Sequence, residues 1–199
     1  TRDRTIRDHG ARSALARNNT LHANKKAQLE AVNDLLEAFG NAKTSRNDNS
    51  SRFGKYSQLY FSQTPYTVSG LKVDHYLLER SRVVCVPDGE RNYHIMHYIA
   101  SAESDACVAA GLPEKTFRCV SSATTVRKFD ASAFDDASGF AELKGKMHEA
   151  GFDEELQAGI YSTIKGILYL GNVQFNSRDR ASEETAELDP PCAPDLAKA

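Results

Sequence analysis

A polar run from Asn41 to Ser51, followed by Arg52, carries the residue types in this chain that could do chemistry. A serine hydroxyl is a hard, neutral oxygen that suits one position in the octahedral shell of Mg²⁺. An asparagine amide can donate to phosphate oxygens, and an arginine can hold a carboxylate through two parallel hydrogen bonds, which makes a latch between moving loops. By composition alone, however, such a run is far more often an ordinary surface loop.

The order of the residues in this run is more informative than their composition. The chain reads Asn47-x-x-Ser50-Ser51-Arg52-Phe53-Gly54-Lys55, preceded by Leu36-Glu37-Ala38-Phe39-Gly40-Asn41-Ala42-Lys43-Thr44. This string resembles the switch I region of myosins, which are actin-based motors that hydrolyse ATP. Kinesins share the Asn-x-x-Ser-Ser-Arg core but typically continue with Ser-His, so a kinesin-type motor fragment is the less favoured alternative.

Two further blocks resemble myosin in the same order along the chain. Residues 76–84 with 89–95 are similar to the segment after switch I, and residues 151–152 with 167–175 are similar to a helix of the upper 50 kDa subdomain. The resemblance covers residues 25–175. It implies an α+β fragment of the myosin head, in the P-loop NTPase superfamily, with an amphipathic helix, the switch I loop, the antiparallel transducer hairpin of the central sheet, and a helix-rich segment.

The resemblance also implies roles for individual side chains. In the family, the asparagine at Asn47 contacts the nucleotide phosphates, and the serine at Ser51 ligates Mg²⁺. The serine at Ser50 helps to place the water that attacks the γ-phosphate, so Asn47, Ser50 and Ser51 would together bind the nucleotide. The arginine at Arg52 pairs with a glutamate of switch II when the site closes, which makes Ser50 and Arg52 the catalytic pair. The implied cofactors are ATP and Mg²⁺, whereas Glu79-Arg80-Ser81-Arg82 is expected to be structural.

Two motifs of a complete motor ATPase are not recognised in the chain. The phosphate-binding string Gly-x-x-x-x-Gly-Lys-[Ser/Thr] does not occur, and we identify no switch II motif of the Asp-x-x-Gly type. We therefore expect part of a motor that couples Mg-ATP hydrolysis to movement along actin, inactive by itself. Actin filaments would bind through the complete motor, and light chains or calmodulin would bind a lever arm that this chain lacks. A non-catalytic, myosin-derived binding module is the alternative.

Composition and charge narrow the choice of partners. The chain is 40% hydrophobic and 26% charged, with a net charge of -2, which favours neither a nucleic acid nor a membrane as its partner. Residues 1–24 are basic and without apolar periodicity, so we expect an irregular segment or insertion. Residues 176–199 are acidic, so we expect a loosely ordered tail. Basic ends can touch an acidic polymer, but such ends are more often solvated.

Cysteine usage and hydropathy indicate the compartment. The four cysteines are scattered, with no Cys-x-x-Cys pair, so we expect free thiols in a reducing cytosol and neither structural zinc nor disulfides. No signal-peptide core is visible, and the apolar stretches are far too short to span a bilayer. The expected localisation is cytoplasmic, on the cytoskeleton, in a myosin complex.

Hydrophobic periodicity indicates the elements that position the polar run. An amphipathic helix should begin at Lys25 and end at Gly40, with glycine adopting the left-handed conformation. After the run, residues 53–62 and 69–78 are rich in aromatic and β-branched residues, which predicts two strands of an antiparallel hairpin. Helices are expected at 91–100, 140–150 and 154–170. The last should be capped by Asp153 and should bury a stripe of apolar residues, namely Leu156, Ile160, Ile164, Ile167 and Leu168.

Overall fold

A computed structural model describes residues 25–63, 66–120, 134–180, 183–190 and 193–198. The basic segment predicted for residues 1–24 lies outside these ranges. The elements are α1 (25–40), β1 (Asn41–Ala42), β2 (Ser50–Ser51), β3 (Gly54–Gln63), β4 (Tyr66–Tyr76), a 3-10 helix (Arg80–Val83), α2 (His94–Ala109), α3 (Asp136–Glu149), α4 (Glu154–Asn172), β5 (Phe175–Arg180), β6 (Glu183–Leu188) and α5 (Ala193–Leu196).

Strands β3 and β4 form the antiparallel hairpin that the aromatic and β-branched runs predict. The register runs from Gly54 opposite Tyr76 to Gln63 opposite Tyr66, with a shift at Tyr60. The aromatic and β-branched residues of both strands suit this pleated structure. Because β3 begins at Gly54, the polar run leads almost directly into the first strand of this hairpin.

Side chains of α1 and β3 tie the hairpin to the first helix. Lys25 Nζ donates to the backbone oxygen of Val68 at 2.6 Å, and Lys55 Nζ donates to Asn33 Oδ1 at 2.9 Å. The two contacts lie toward opposite ends of the hairpin. These two hydrogen bonds therefore fix the hairpin alongside α1. Because the polar run connects α1 to β3, both of its ends are attached to elements that are fixed to each other.

Helix α1 does end at Gly40, but the predicted reason is wrong. Among the described glycines a positive φ occurs at Gly89, Gly111 and Gly151, and not at Gly40. A Cβ at Gly40 would instead lie 2.3 Å from Cε1 of Phe53. Glycine is required here because the ring of Phe53 packs directly against the end of the helix.

Helices α2, α3 and α4 surround the hydrophobic core, and α2 packs against both of the others. The ring of Phe117 meets the ring of Tyr169 edge-on, with centroids 5.2 Å apart. Ala38 of α1 joins the same core and is 7% exposed. The last turns of α1 are therefore anchored by apolar burial, which positions the start of the polar run. Further core residues are Ile95, Met96, Leu143, Met147 and Leu168.

The buried face of α4 differs from the predicted stripe. Leu156 is 52% exposed and Ile167 is 36% exposed, whereas the neighbouring Gln157 is buried. Gln157 can be buried because its Nε2 donates to the backbone oxygen of Phe152 at 2.9 Å, which satisfies the amide. Apolar periodicity cannot reveal such a residue. The remaining members of the stripe face the core, namely Ile160, Ile164 and Leu168.

Helix α2 begins at His94, three residues later than predicted, because the preceding residues are held as extended chain. The backbone nitrogen of Arg91 donates to the oxygen of Lys43 at 3.0 Å. Tyr93 forms an antiparallel bridge with Ala42. These pairings attach the approach to α2 to the base of the polar run, a long-range constraint that local periodicity does not contain.

Part of the acidic segment 176–199, predicted as a loosely ordered tail, has regular structure in its described residues. Strands β5 and β6 pair antiparallel, with Phe175 opposite Leu188. The carboxylate of Asp195 lies 2.5 Å from Lys115 Nζ and accepts from Asn172 Nδ2 at 3.2 Å. This segment therefore returns to the end of α4.

Two sequence expectations about the compartment can be compared with the described ranges. None of the helices described there is both long enough and apolar enough to cross a membrane. Cys85, Cys107 and Cys119 are free thiols, as predicted. Cys192 lies outside the described residues.

We expect Asp153→Ala to destabilise the chain by about 1 kcal/mol, because an N-cap acceptor is lost. Asp153 Oδ1 accepts from the backbone nitrogen of Leu156 at 2.8 Å, as the sequence predicts. Urea unfolding followed by circular dichroism measures the effect. Asp153→Asn keeps an acceptor and should retain most of the stability, and an equal loss in both variants would argue against capping.

Candidate functional site

The polar run forms a short hairpin loop at the end of α1. Strands β1 and β2 pair antiparallel, with Asn41 opposite Ser51 and Ala42 opposite Ser50. Residues 43–49 connect them, and we call this connection the Asn47 loop. Ser50 and Ser51 are thus placed on the strand that leaves the loop, immediately before Arg52.

Local hydrogen bonds close the Asn47 loop. The backbone nitrogen of Thr44 donates to the oxygen of Asn47 at 2.8 Å, and the nitrogen of Asn47 donates back to Thr44 Oγ1 at 3.2 Å. The side-chain oxygen of Asn47 accepts from the backbone nitrogen of Asn49 at 2.9 Å. Such bonds are typical of Thr and Asn in turns. Because Asn47 is exposed and its Oδ1 is used within the loop, its Nδ2 remains a donor for an external oxygen.

The two serines differ in their surroundings. Ser51 is exposed, and its Oγ donates to the backbone oxygen of Phe53 at 2.9 Å. A hydroxyl that donates its proton in this way keeps its lone pairs, so it can present oxygen to a cation. Ser50 is half-buried. Within the described ranges, no group of three or more His, Cys, Asp or Glu residues could hold a metal ion.

Arg52 belongs to a chain of ion pairs that we call the Arg52 cluster, formed by Arg52, Glu79, Arg82 and Glu90. Arg52 Nε lies 2.5 Å from Glu79 Oε2, and the same oxygen lies 2.8 Å from Arg82 Nε. Arg82 Nη2 lies 2.7 Å from Glu90 Oε2. Arg82 is 1% exposed, and its Nη1 also donates to the backbone oxygen of Arg91 at 2.9 Å. The expected structural role of residues 79–82 did not include this contact with Arg52.

The electrostatics of the cluster favour its charged form. Burial raises the pKa of Glu79, but hydrogen bonds and positive charge from Arg82 and Arg52 outweigh burial and lower that pKa below its ordinary value. Burial likewise lowers the pKa of Arg82, but Glu79 and Glu90 outweigh it and raise that pKa. Glu79 and Arg82 are therefore ionised at neutral pH.

Backbone bonds fix the position of Arg52 from both sides. Its nitrogen donates to the oxygen of Gly40 at 2.9 Å, and its oxygen accepts from the nitrogen of Glu79 at 3.0 Å. Tyr93 Oη donates to the backbone oxygen of Glu79 at 2.8 Å. The exit from the Asn47 loop is thus bonded to the end of α1 and to Glu79 after β4, and Glu79 is in turn bonded to Tyr93, the residue before α2.

A second network of hydrogen bonds joins the Asn47 loop to α1, β1 and α2. Asn49 Oδ1 accepts from Asn41 Nδ2 at 3.1 Å and lies 3.1 Å from His94 Nε2, while Asn49 Nδ2 donates to Glu37 Oε2 at 2.9 Å. Burial, aided by the charge of Arg91, lowers the pKa of His94, so the imidazole is neutral. Sequence reasoning missed these supporting residues, because short polar side chains in a loop give no signal of their tertiary partners.

The chain does contain one Asp-x-x-Gly string, contrary to the expectation of none. It comprises residues 136–139 and begins α3. Both carboxylate oxygens of Asp136 lie 2.6 Å from Arg91 Nη2, and a Cβ at Gly139 would lie 2.7 Å from Cε1 of Tyr98. The aspartate is an ion-pair partner and the glycine makes room for a ring. In the described structure the carboxylate at Arg52 comes from Glu79 instead.

Comparisons with known proteins identify the family of the chain. A family model for the myosin head (motor domain) matches residues 10–193. The chain is 43% identical to the myosin IA heavy chain of Dictyostelium discoideum over 76% of its length, and 39% identical to Myosin-15 of Arabidopsis thaliana over 82%. It is 40% identical to unconventional myosin-Va of Rattus norvegicus over 80%. The chain belongs to the myosin head family, as the switch I resemblance predicts.

The chain spans only a small part of the relatives that it matches. The matched region is 15% of the Dictyostelium protein, 10% of the Arabidopsis protein and 9% of the rat protein. This chain therefore corresponds to one short segment of each of these proteins.

We expect Arg82→Ala to lower the free energy of unfolding by roughly 3 kcal/mol, because it leaves Glu90 without its paired cation and Glu79 with Arg52 alone. Arg80 is the matched control, since it lies in the same 3-10 helix but is exposed. Arg80→Ala should change stability by less than about 0.5 kcal/mol. Urea unfolding measures both variants. Similar losses of stability would show that the Arg52 cluster contributes no more to stability than an exposed arginine does.

The difference between Arg82→Ala and the parent chain should shrink in acid. The pKa of Glu79 is lowered on folding, so its contribution is fully present above the ordinary glutamate pKa of about 4.3 and is lost as pH falls through the folded value. Unfolding measured from pH 7 down to about pH 3 tests this. A difference that stays constant would mean that shape, and not charge, holds Arg82.

Proposed function

We propose that this chain supplies the switch I segment of an actin-based motor that couples Mg-ATP hydrolysis to movement along actin filaments. The observation that carries the proposal is that Asn47 lies on the Asn47 loop while Ser50, Ser51 and Arg52 follow at its exit, which is held by backbone bonds. Phosphoryl transfer requires groups that are positioned in advance around phosphate, metal and water. Membership of the myosin head family supports this reading.

The exposed side chains of the loop suit binding of a magnesium nucleotide. Asn47 Nδ2 would donate to a phosphate oxygen, and Ser51 Oγ would present its lone pairs to Mg²⁺ while its O–H still donates to the backbone oxygen of Phe53. Mg²⁺, when bound, would neutralise charge on the phosphates. Ser50 would hold the water that attacks the γ-phosphate. The remaining metal and phosphate contacts would come from outside this chain.

Arg52 is proposed as a latch between this loop and a second loop that carries a glutamate, switch II. Its side chain is 30% exposed, so it can be reached from outside. Within the described residues its Nε alone is hydrogen-bonded, to Glu79. A planar guanidinium has five N–H donors, so its Nη groups can still hold another carboxylate. Closing this pair would fix the loop during hydrolysis.

The β3–β4 hairpin is proposed as the transducer of the motor, within a larger central sheet. Its strands expose large apolar side chains, a pattern that usually marks a surface covered by another part of a protein. We propose that the rest of the motor covers them. Residues 25–175 would form the partial motor domain, with separate segments at 1–24 and 176–199. Exposed hairpin residues are Tyr56, Leu59, Tyr60, Phe61 and Tyr76.

The complete motor is proposed to act on actin in the cytoplasm, as part of a myosin complex, with light chains or calmodulin on its lever arm. The alternative is a myosin-derived module that binds without catalysis. The two proposals differ in what the loop must do. A motor needs the hydroxyl of Ser51 and the guanidinium of Arg52, whereas a binding module can lose either one without losing its partner.

Purified chain 1–199 should bind MgATP weakly or not at all and should show no actin-activated hydrolysis. The reason is that the sequence contains no Gly-x-x-x-x-Gly-Lys-[Ser/Thr] cradle for the phosphates. Isothermal titration calorimetry measures the binding. Micromolar affinity for MgATP would overturn this expectation and would point to a phosphate site within the chain itself.

In a motor that carries this segment, Arg52→Ala should leave nucleotide binding largely intact and should slow hydrolysis at least a hundredfold. The latch would be lost, and misplacement of reacting groups by about 1 Å costs about a hundredfold. Ser51→Ala should instead weaken magnesium-dependent binding. Rapid-quench hydrolysis and magnesium titrations separate the two effects.

The matched control for the Arg52 variant is Arg46→Ala, which removes an exposed arginine from the same loop. It should keep the parent rate of hydrolysis. A charge swap, with Arg52→Glu and arginine at the switch II glutamate, should recover part of the lost rate. Parent-rate hydrolysis by Arg52→Ala would exclude the latch.

A further inference from the structure

We propose that Glu79 is a positioning residue for Arg52: it holds the Nε edge of the guanidinium so that the Nη edge is presented to a second carboxylate. The inference rests on the proposed latch function of Arg52 and adds to it a residue that the switch I resemblance does not include. It starts from the contact of Arg52 Nε with Glu79 Oε2 at 2.5 Å.

Glu79 is itself rigidly held, which a positioning residue must be. Arg82 grips both of its oxygens, with Nε at 2.8 Å from Oε2 and Nη2 at 3.5 Å from Oε1. The backbone of Glu79 is bonded to Arg52 through its nitrogen and to Tyr93 through its oxygen. Exposure rises along this series, from 1% at Arg82 to 28% at Glu79 and 30% at Arg52. The cluster therefore extends from the interior to the surface.

The geometry favours positioning over competition. A guanidinium offers carboxylates two edges, one formed by Nε with one Nη and one formed by both Nη groups. Glu79 contacts Nε and, in the described residues, neither Nη group has a hydrogen-bond partner. A second carboxylate can therefore bind the Nη edge while Glu79 stays in place. Arginine has many rotamers, so holding it beforehand reduces the entropy lost when the latch closes.

The test is Glu79→Gln in a motor that carries this segment. Glutamine has the same shape and keeps an acceptor for Arg82, but it removes the charge that orients Arg52. Single-turnover hydrolysis should slow about tenfold, less than the hundredfold for losing Arg52 itself. The KM for ATP should stay within about twofold, because Glu79 is not placed on phosphate or metal.

A double-mutant cycle separates positioning from a merely structural role. If Glu79 acts through Arg52, Glu79→Gln should slow hydrolysis in the parent motor and should have no further effect in the Arg52→Ala motor. The control is Glu103→Gln, which removes another half-buried glutamate that is paired with a lysine, Lys165, at 2.5 Å. It should keep the parent rate. Glu79→Asp withdraws the carboxylate by one methylene and should give an intermediate rate.

The outcomes distinguish this inference from the proposed function. The positioning role is supported if Glu79→Gln slows hydrolysis in the parent motor and causes no further slowing in the Arg52→Ala motor. Faster hydrolysis by Glu79→Gln would make Glu79 a competitor of the second carboxylate and would overturn the inference. Parent-rate hydrolysis by Glu79→Gln, with Arg52→Ala still slow, would overturn the inference and leave the latch intact. If Arg52→Ala itself keeps the parent rate, latch and positioning are both wrong.

Discussion

The arrangement around the Asn47 loop depends on one buried cation. Arg82 is 1% exposed, and a guanidinium in such a place must be paired and hydrogen-bonded, since an uncompensated buried charge is strongly destabilising. Its partners come from three places: Glu79 after β4, Glu90 before α2, and the backbone oxygen of Arg91. Satisfying this one residue therefore brings together the hairpin exit and the start of α2, and Glu79 extends the contact to Arg52.

In the same arrangement, the residues that hold the site in place differ from the residues that could bind a ligand. The buried side of the site consists of paired charges and backbone bonds, and the open side consists of Asn47 and Ser51, whose side chains make only local hydrogen bonds. A loop that must respond to a ligand needs polar groups that are free to change partner, and a fixed base to carry them. In the proposed motor, Arg52 would belong to both sides, because Glu79 holds it while part of its guanidinium stays accessible.

Local patterns predicted most of the elements but not all of their boundaries and faces. The hairpin, the cap at Asp153 and the helices follow from aromatic and β-branched composition, capping chemistry and apolar periodicity, which are short-range properties. The errors have tertiary causes. Gly40 is required by the ring of Phe53, Leu156 faces outward while a hydrogen-bonded Gln157 is buried, and residues 91–93 are extended because they pair with the base of the loop.

The sequence by itself determined the family, because the string from Asn47 to Lys55 is a long ordered set of residues, and it identified the loop whose chemistry we propose. Only the tertiary structure decided what holds Arg52. Glu79 lies 27 residues further along the chain. At that separation neither a periodicity nor a motif in the sequence indicates that the two residues pair. The Arg52–Glu79 ion pair forms because the buried Arg82 holds Glu79 beside Arg52. Arg82 needs Glu79 and Glu90 as partners only once the folded chain has buried its guanidinium.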